Sequence, residues 1–544
     1  MGWKTLPEKG KFIACAVLFV ITVGAAGLIA VGCGGEPEAD SKKASNLSVV
    51  EETIPTYTIS DPTGDWGYPS PYSHYRRGPG YIRMSLIFDT LVWKDEKGQI
   101  PALAEKWHYN SEENSFSFDL NKNVKWHDGQ KFTAADVAFT FAYVKKHPYN
   151  MIDCSQISKV EVIDEYRVKI YLSEKYAPFL NNIAGALPIL PEHIWQDVTN
   201  PEEFIEPEAI VGTGPYKLLD YSREHGTYLY AANRDYYLGC PAVQELKFVK
   251  VSNEMAVPAM ERGEVNFAQI PPEMQDQLAG SGFEVIKTKY DWALKLMINH
   301  RKNPLSAKEF RHALAFAIDR EALVENTKRG YALAGSPGLL SPDSQWYNQD
   351  VAQYGYDPEK AAALLTTQGY HREHDFFTQN GKELALEMLI TPEYERDGQF
   401  IKQQLEKAGI RVNLKSMEPK TLDTMVGDWK FDLALSGNGS IGGDAEILNK
   451  VILDQTFISA RYDANRELNE LLTEQLTVLD PGEREVKVRR SQALFARELP
   501  FLTLYYPDWY YAHDGKVKFF NTPKGISYGI PLLLNKAAFT DIRG

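Results

Sequence analysis

Val124-Lys-Trp-His-Asp-Gly-Gln-Lys-Phe-Thr-Ala-Ala-Asp-Val137 holds a strand, a turn and a helix start, in that order. Val124 and Trp126 alternate with polar residues, which suits a strand with one buried face. Asp128-Gly129 follows, and an Asp-Gly pair supplies the positive φ of a tight turn. Thr133 stands three residues before Asp136 and opens an apolar stripe through Val137, Phe141 and Val144, which stops near Pro148. That spacing predicts a capped helix. Each feature has a local structural explanation, so the stretch identifies architecture and marks no chemistry.

Strands flank this unit. Phe116, Phe118 and Leu120 alternate with polar residues, as do Tyr166, Val168, Ile170 and Leu172. Further along, Ser306-Ala-Lys-Glu309 reads as a capping box ahead of Phe310, Leu314, Ala317 and Ile318. Asp319 caps a second helix that ends at Gly330. Asp357-Pro358-Glu359 places Asp at the cap and Pro in the first turn, with Gly369 as the stop. Asp480-Pro481-Gly482-Glu483 repeats the device before a helix to Leu499. Between these lie an alternating strand, Leu384 to Ile390, a helix over 399–408, and strands over 410–414 and 431–435. This strand–helix–strand alternation predicts an α/β lobe from residue 290 to residue 500.

The chain has 544 residues, with 59 Lys+Arg against 73 Asp+Glu and a formal net charge of −14. Nucleic-acid binding is excluded, because phosphate neutralisation needs a basic footprint. Hydrophobic residues make up 44% and charged residues 24%, which excludes disordered and polytopic membrane classes. The length calls for two or more lobes. An aromatic content of 12% fits a large internal interface or a ligand cleft.

Lys4, Lys9 and Lys11 form a basic lead, and no charge occurs over residues 12–32. That is the pattern of a secretory signal. Ala30-Val31-Gly32-Cys33 resembles a bacterial lipobox, which implies a signal peptide over 1–32, lipidation of Cys33 and a flexible linker over 33–50. The uncharged run is also long enough for an uncleaved anchor helix. Both readings put the body outside the cytoplasm, on the periplasmic or outer face, tethered to the cell membrane. The body keeps two cysteines, Cys154 and Cys240, which either pair in an oxidising compartment or remain separate thiols. No CxxC or Cys/His cluster signals zinc, and no metal site is expected.

Five segments taken together resemble the family 5 extracellular solute-binding proteins of ABC importers, the peptide- and nickel-binding group. They are Leu103–Trp107 with Phe116–Leu120, Val124–Val137, Val211-Gly-Thr-Gly-Pro-Tyr-Lys217, Phe310–Arg320 and Tyr356–Ala361. The resemblance implies a two-lobed, periplasmic-binding-protein-like α/β fold of class II, with hinge strands and an inserted third subdomain. It assigns 51–88, 210–289 and 505–544 to lobe I, 89–209 to the insert and 290–504 to lobe II. It implies a receptor that closes on a peptide, or alternatively on nickel or a metal chelate, and changes no bond in it. ABC permease and ATPase subunits are the implied partners. A monomer without cofactor is expected.

Gly437-Asn-Gly-Ser-Ile-Gly442 matches GxGxxG between a strand and a helix expected from Asp444. Dinucleotide binding is disfavoured, since Asp444 puts a carboxylate where a pyrophosphate would sit. By the resemblance this loop faces the cleft. Peptide-binding members carry a Trp there and, three residues on, an Asp for the ligand's α-amino group. The corresponding positions are Asn438 and Ile441, so that anchor is missing. Gly439, Ser440, Asp444 and Glu446 are the remaining candidates of the loop, whose backbone N–H groups would suit an oxygen-rich ligand. Tyr75, Arg76 and Arg77 lie in a Tyr/Pro-rich stretch expected near the lobe junction, where an Arg would fork onto a carboxylate. Trp292, Tyr506 and Trp509 stand by the predicted crossing strands and could line the cleft. His371 and His374 read as surface histidines in a loop. No GxSxG, HExxH or SxxK motif occurs.

Overall fold

A computed structural model describes residues 53–75, 78–149, 152–523, 525–526 and 533–540. Cys33, Arg76 and Arg77 lie outside the described residues. Among those residues, no helix is long and apolar enough to cross a membrane.

Three sheets carry the fold. The first has seven strands, in the order Glu284–Lys287, Tyr510–His513, Phe267–Ile270, Ile54–Asp61, Val243–Lys250, Thr227–Ala232, Tyr216–Ser222. The second has six, in the order Ala332–Ala334, Phe501–Pro507, Trp292–Ile298, Leu433–Gly439, Ala385–Ile390, Arg411–Ser416. A separate four-stranded antiparallel sheet joins Ala104–Asn110, Ser115–Leu120, Arg167–Leu172 and Ile157–Asp164. The molecule is a two-lobed α/β protein with this small sheet as an insert.

The second sheet is covered on both faces, so its central strand reads as an apolar run rather than an alternation. Leu294, Leu296 and Ile298 enter one core cluster, while Ala293 and Met297 enter the other.

The turn and helix of the opening stretch fold as their residues dictate, whereas the strand expected at Val124–Trp126 is reduced to one isolated bridge between Lys125 and Lys131. Thr133 caps the helix Ala134–Lys146: its Oγ1 accepts the Ala135 N–H at 3.3 Å, and Asp136 Oδ2 accepts the Thr133 N–H at 2.8 Å. The turn docks on Val211–Lys217. His127 N–H donates to Gly212 O at 2.8 Å, and the His127 ring sits 3.0 Å from Gly214 O. A Cβ on Gly212 would stand 2.0 Å from Ile87 O, so only glycine allows this approach. Burial pushes the His127 pKa down to about 4. Two segments distant in sequence are thus one structural joint.

Asp319, Asp357 and Asp480 cap their helices as expected, each accepting an N–H at 2.8–2.9 Å. Three expectations are corrected, and the open alternative for the two cysteines is resolved as separate thiols. The helix Lys308–Ala317 has Ala307 at its cap, because the Ser306 hydroxyl donates to Asn303 instead. Cys154 and Cys240 are free thiols; the first sits half-buried beside the insert's core and the second is exposed before Val243–Lys250. His371–Glu373 is a short exposed strand rather than a loop. Finally, the strand expected at 431–435 runs over Leu433–Gly439, and the helix after it begins at Glu446.

Candidate functional site

Two short segments join the first sheet to the second. Residues 288–291 connect Glu284–Lys287 to Trp292–Ile298, and residues 508–509 connect Phe501–Pro507 back to Tyr510–His513. They are laced together. Thr288 N–H donates to Trp509 O at 2.9 Å, and Lys287 Nζ pairs with Asp508 at 2.8 Å. Segments this short act as hinges, because few dihedrals absorb any rotation of one sheet against the other.

Aromatic rings gather at this junction. Trp292 lies with its ring centroid 6.3 Å from Trp509 and 6.4 Å from Tyr394. Antiparallel pairing sets Trp292 opposite Gly439 and Leu294 opposite Gly437. A Cβ on Gly437 would stand 1.7 Å from the indole, so the glycine is what lets Trp292 lie flat on the strand. Asn438 lies between these glycines, buried, with Nδ2 donating to Gly439 O at 2.8 Å.

The glycine turn that follows holds a ligand of its own. Asp291 Oδ1 accepts the Gly442 N–H at 2.7 Å, and Asp291 O accepts the Ile441 N–H at 3.3 Å. A Cβ on Gly442 would crowd that Oδ1 at 2.8 Å. These N–H groups therefore serve the chain's own Asp291, Gly442 N–H on its carboxylate and Ile441 N–H on its backbone carbonyl, rather than an incoming oxygen-rich ligand. The dinucleotide reading weakens further, since Gly437 and Gly439 are strand residues. Ser440 turns the chain with a φ of 74°.

Asp444, Tyr506 and Glu446 are buried and bonded within the protein, while Tyr75 is exposed. Asp444 is buried in a bidentate pair with Arg484, whose Nη1 donates to Oδ2 at 2.8 Å. Tyr506 is fully buried; its hydroxyl donates to Leu339 O and accepts the Ser336 N–H. Tyr75 is 52% exposed, with its ring 6.2 Å from Trp66. Glu446 is buried and accepts a hydrogen bond from Asn182 Nδ2. Burial pushes its carboxyl pKa up, opposed by Lys450.

Glu446 also lines a cavity of about 870 Å³, bounded by the helix Ala134–Lys146 and the strand Ile157–Asp164 on one side. Phe141, Tyr149 and Ile152 give it an apolar wall, and Glu446, Lys450 and Asp454 a charged one. Sequence reasoning missed Asp291, Tyr394, Asn182 and Lys450. Only Asp291 carried a usable signal, as an acid beside Trp292 in the crossing segment.

The structure thus brings Trp292, Asn438, Gly439 and Trp509 to one place and holds Asp444 and Tyr506 in the framework. A family model described as bacterial extracellular solute-binding proteins, family 5 Middle, matches residues 98–457. The dipeptide-binding protein of Escherichia coli (strain K12) is 26% identical over 356 residues, 59% of this chain and 63% of that protein. The chain thus spans a little less than two thirds of that relative. Oligopeptide-binding protein AppA of Bacillus subtilis (strain 168) is 25% identical over 450 residues, 78% of this chain and 81% of AppA. The solved structure of AppA with a nonapeptide superposes with a TM-score of 0.72 at 21% identity, covering 89% of this chain and 99% of that one. NikA from Brucella suis, solved with Fe(III)-EDTA, gives a TM-score of 0.76 at 19% identity, covering 88% and 100%. These superpositions establish the fold.

Proposed function

Because the chain belongs to the bacterial extracellular solute-binding proteins of family 5, we propose that it captures peptides between its lobes and delivers them to an ABC importer. The observation that carries this reading is the aromatic junction. Trp292, from the second sheet, meets Trp509 in the short link back to the first, so a guest held there contacts both lobes. A ligand that touches both lobes favours the closed state by its differential affinity for it. The protein acts as a receptor, with no chemical step. Permease and ATPase subunits receive the load. Cys33 supplies the lipid anchor on the extracytoplasmic face, and the receptor works as a monomer. Lobe I comprises 51–88, 210–289 and 505–544, the insert 89–209 and lobe II 290–504.

Relatives that bind dipeptides and oligopeptides support the peptide choice. The second reading, a nickel or metal-chelate receptor, is favoured by the NikA likeness and by an apolar residue, Ile441, where an acid was expected. Isothermal calorimetry of the full chain against di- to pentapeptides and against nickel–histidine separates the two. Saturable heat with peptides is expected. Heat with the chelate alone would replace the first reading by the second.

A further inference from the structure

Lys94 ends the strand Val92–Lys94 and is 1% exposed. Its Nζ donates to three backbone carbonyls: Asn181 O at 3.0 Å, Gly525 O at 3.1 Å and Ile526 O at 2.9 Å. An ammonium has three donors, and here they join two segments far apart in the chain. Asn535, from the same C-terminal segment, holds the lysine's backbone, with Nδ2 donating to Lys94 O at 2.8 Å. The lysine is thus fixed at both of its ends.

Asn181 and Asn182 stand in a π-helical turn, Leu180–Ala184. Such turns are rare and recur at functional positions. Asn181 Nδ2 donates to Asn182 Oδ1 at 2.6 Å. An amide side chain has one acceptor end and one donor end. With its oxygen taken by Asn181, Asn182 turns its N–H end away, and that end donates to Glu446. Glu446 opens the helix Glu446–Ile452, which packs on the second sheet. A carboxyl group keeps an acceptor oxygen in either protonation state, so the bond does not depend on the charge of Glu446. Lys94, Asn181, Asn182 and Glu446 are all buried, which shields each link from competing water. A network that serves folding alone needs no partner beyond its own lobe. This one has its last link on the other lobe, which the segments 288–291 and 508–509 allow to move.

Resting on the receptor reading, we infer that Lys94 and Asn181 are positioning residues for lobe closure, acting through Asn182. Lys94 ties the π-helical turn to the C-terminal segment. Asn181 sets which end of the Asn182 amide faces the second lobe. The C-terminal segment thereby bears on ligand affinity without lining the aromatic junction.

Small-angle scattering of the unliganded full chain reads closure without any ligand. Lys94→Gln and Asn181→Leu should each raise the radius of gyration to the value of Asn182→Ala, and neither should raise it further when combined with Asn182→Ala. In calorimetry against di- to pentapeptides, every single and double variant should bind about tenfold more weakly than wild type and within about twofold of Asn182→Ala. Residues that mattered only for folding would lower the melting temperature and leave radius and affinity alone. Should one of the two variants fail to fold, the other carries the test; should neither fold, Asn181→Asp, equal in size and without the donor, takes their place. A wild-type radius in the folded variants, or a further increase in the Asn182→Ala background, overturns the inference and leaves the receptor reading standing. Absence of heat from wild type with every peptide, beside the expected radii, overturns the peptide reading alone.

Discussion

Lys295 sits in the middle of the strand Trp292–Ile298 with no exposed surface. Its Nζ donates to Ile458 O at 2.8 Å and lies 4.7 Å from the Phe501 ring centre, and among the described residues it makes no ion pair. Burial pushes its pKa down to about 7 from the ordinary 10.5. Between those values the unfolded chain binds a proton that the folded chain does not. Folding stability therefore rises with pH across that window, is fully present above 10.5, and is lost as pH falls through 7. The slope is at most roughly 1.4 kcal/mol per pH unit. Urea melts of wild type and Lys295→Met at pH 7 and pH 9.5 isolate it, because the other titrating groups cancel in the difference. Wild type should gain on the variant as pH rises; a constant gap would refute the buried charge. Residue roles were the least legible part of the sequence. Asp444 and Tyr506 looked like cleft residues and are framework, because their partners, Arg484 and Leu339, lie 40 and 167 residues away. Asp291 went unnoticed for the same reason: its significance comes from Gly442, 151 residues on.

Elements were easier to read, because their signals are local. The capping residues Thr133, Asp319, Asp357 and Asp480 each stand beside the N–H they satisfy, so a few consecutive letters contain the whole interaction. Thr133→Ala should cost about 1 kcal/mol in a urea melt, since it removes a cap that Asp136 reciprocates; no change would mean the helix is held by tertiary packing alone. Strand extent was harder. Gly437 and Gly439 looked like loop because glycine weakens a strand in isolation. What holds them in the sheet is the partner strand, with Trp292 lying over Gly437. A larger residue at 437 must expel that ring. Gly437→Val is expected to shift Trp292 emission to the red and weaken ligand binding about tenfold or more, while far-ultraviolet circular dichroism stays native. An unchanged emission spectrum would show that the indole does not need the glycine.

At the scale of the molecule, the two-lobed architecture was legible through segments in a fixed order, but the contacts that set lobe spacing were not. Those contacts join residues distant in sequence. The insert touches the second lobe where Ala177 N–H donates to Leu476 O at 2.7 Å and where Asn182 donates to Glu446. Between them lies the cavity of about 870 Å³ with its charged wall of Glu446, Lys450 and Asp454. A hydrogen bond to a buried carboxylate contributes about 1.5–3 kcal/mol, enough to move a closed–open equilibrium by about tenfold to a hundredfold. Asn182→Ala removes that donor and leaves every strand intact. The unliganded variant should show a larger radius of gyration by small-angle scattering than unliganded wild type. Saturating peptide should bring both to the same compact value, with the variant requiring about tenfold more ligand, since part of the binding energy now closes the lobes. Equal radii without ligand would mean that the hinge segments 288–291 and 508–509 set the lobe spacing by themselves, and that the Asn182–Glu446 contact follows closure rather than holding it.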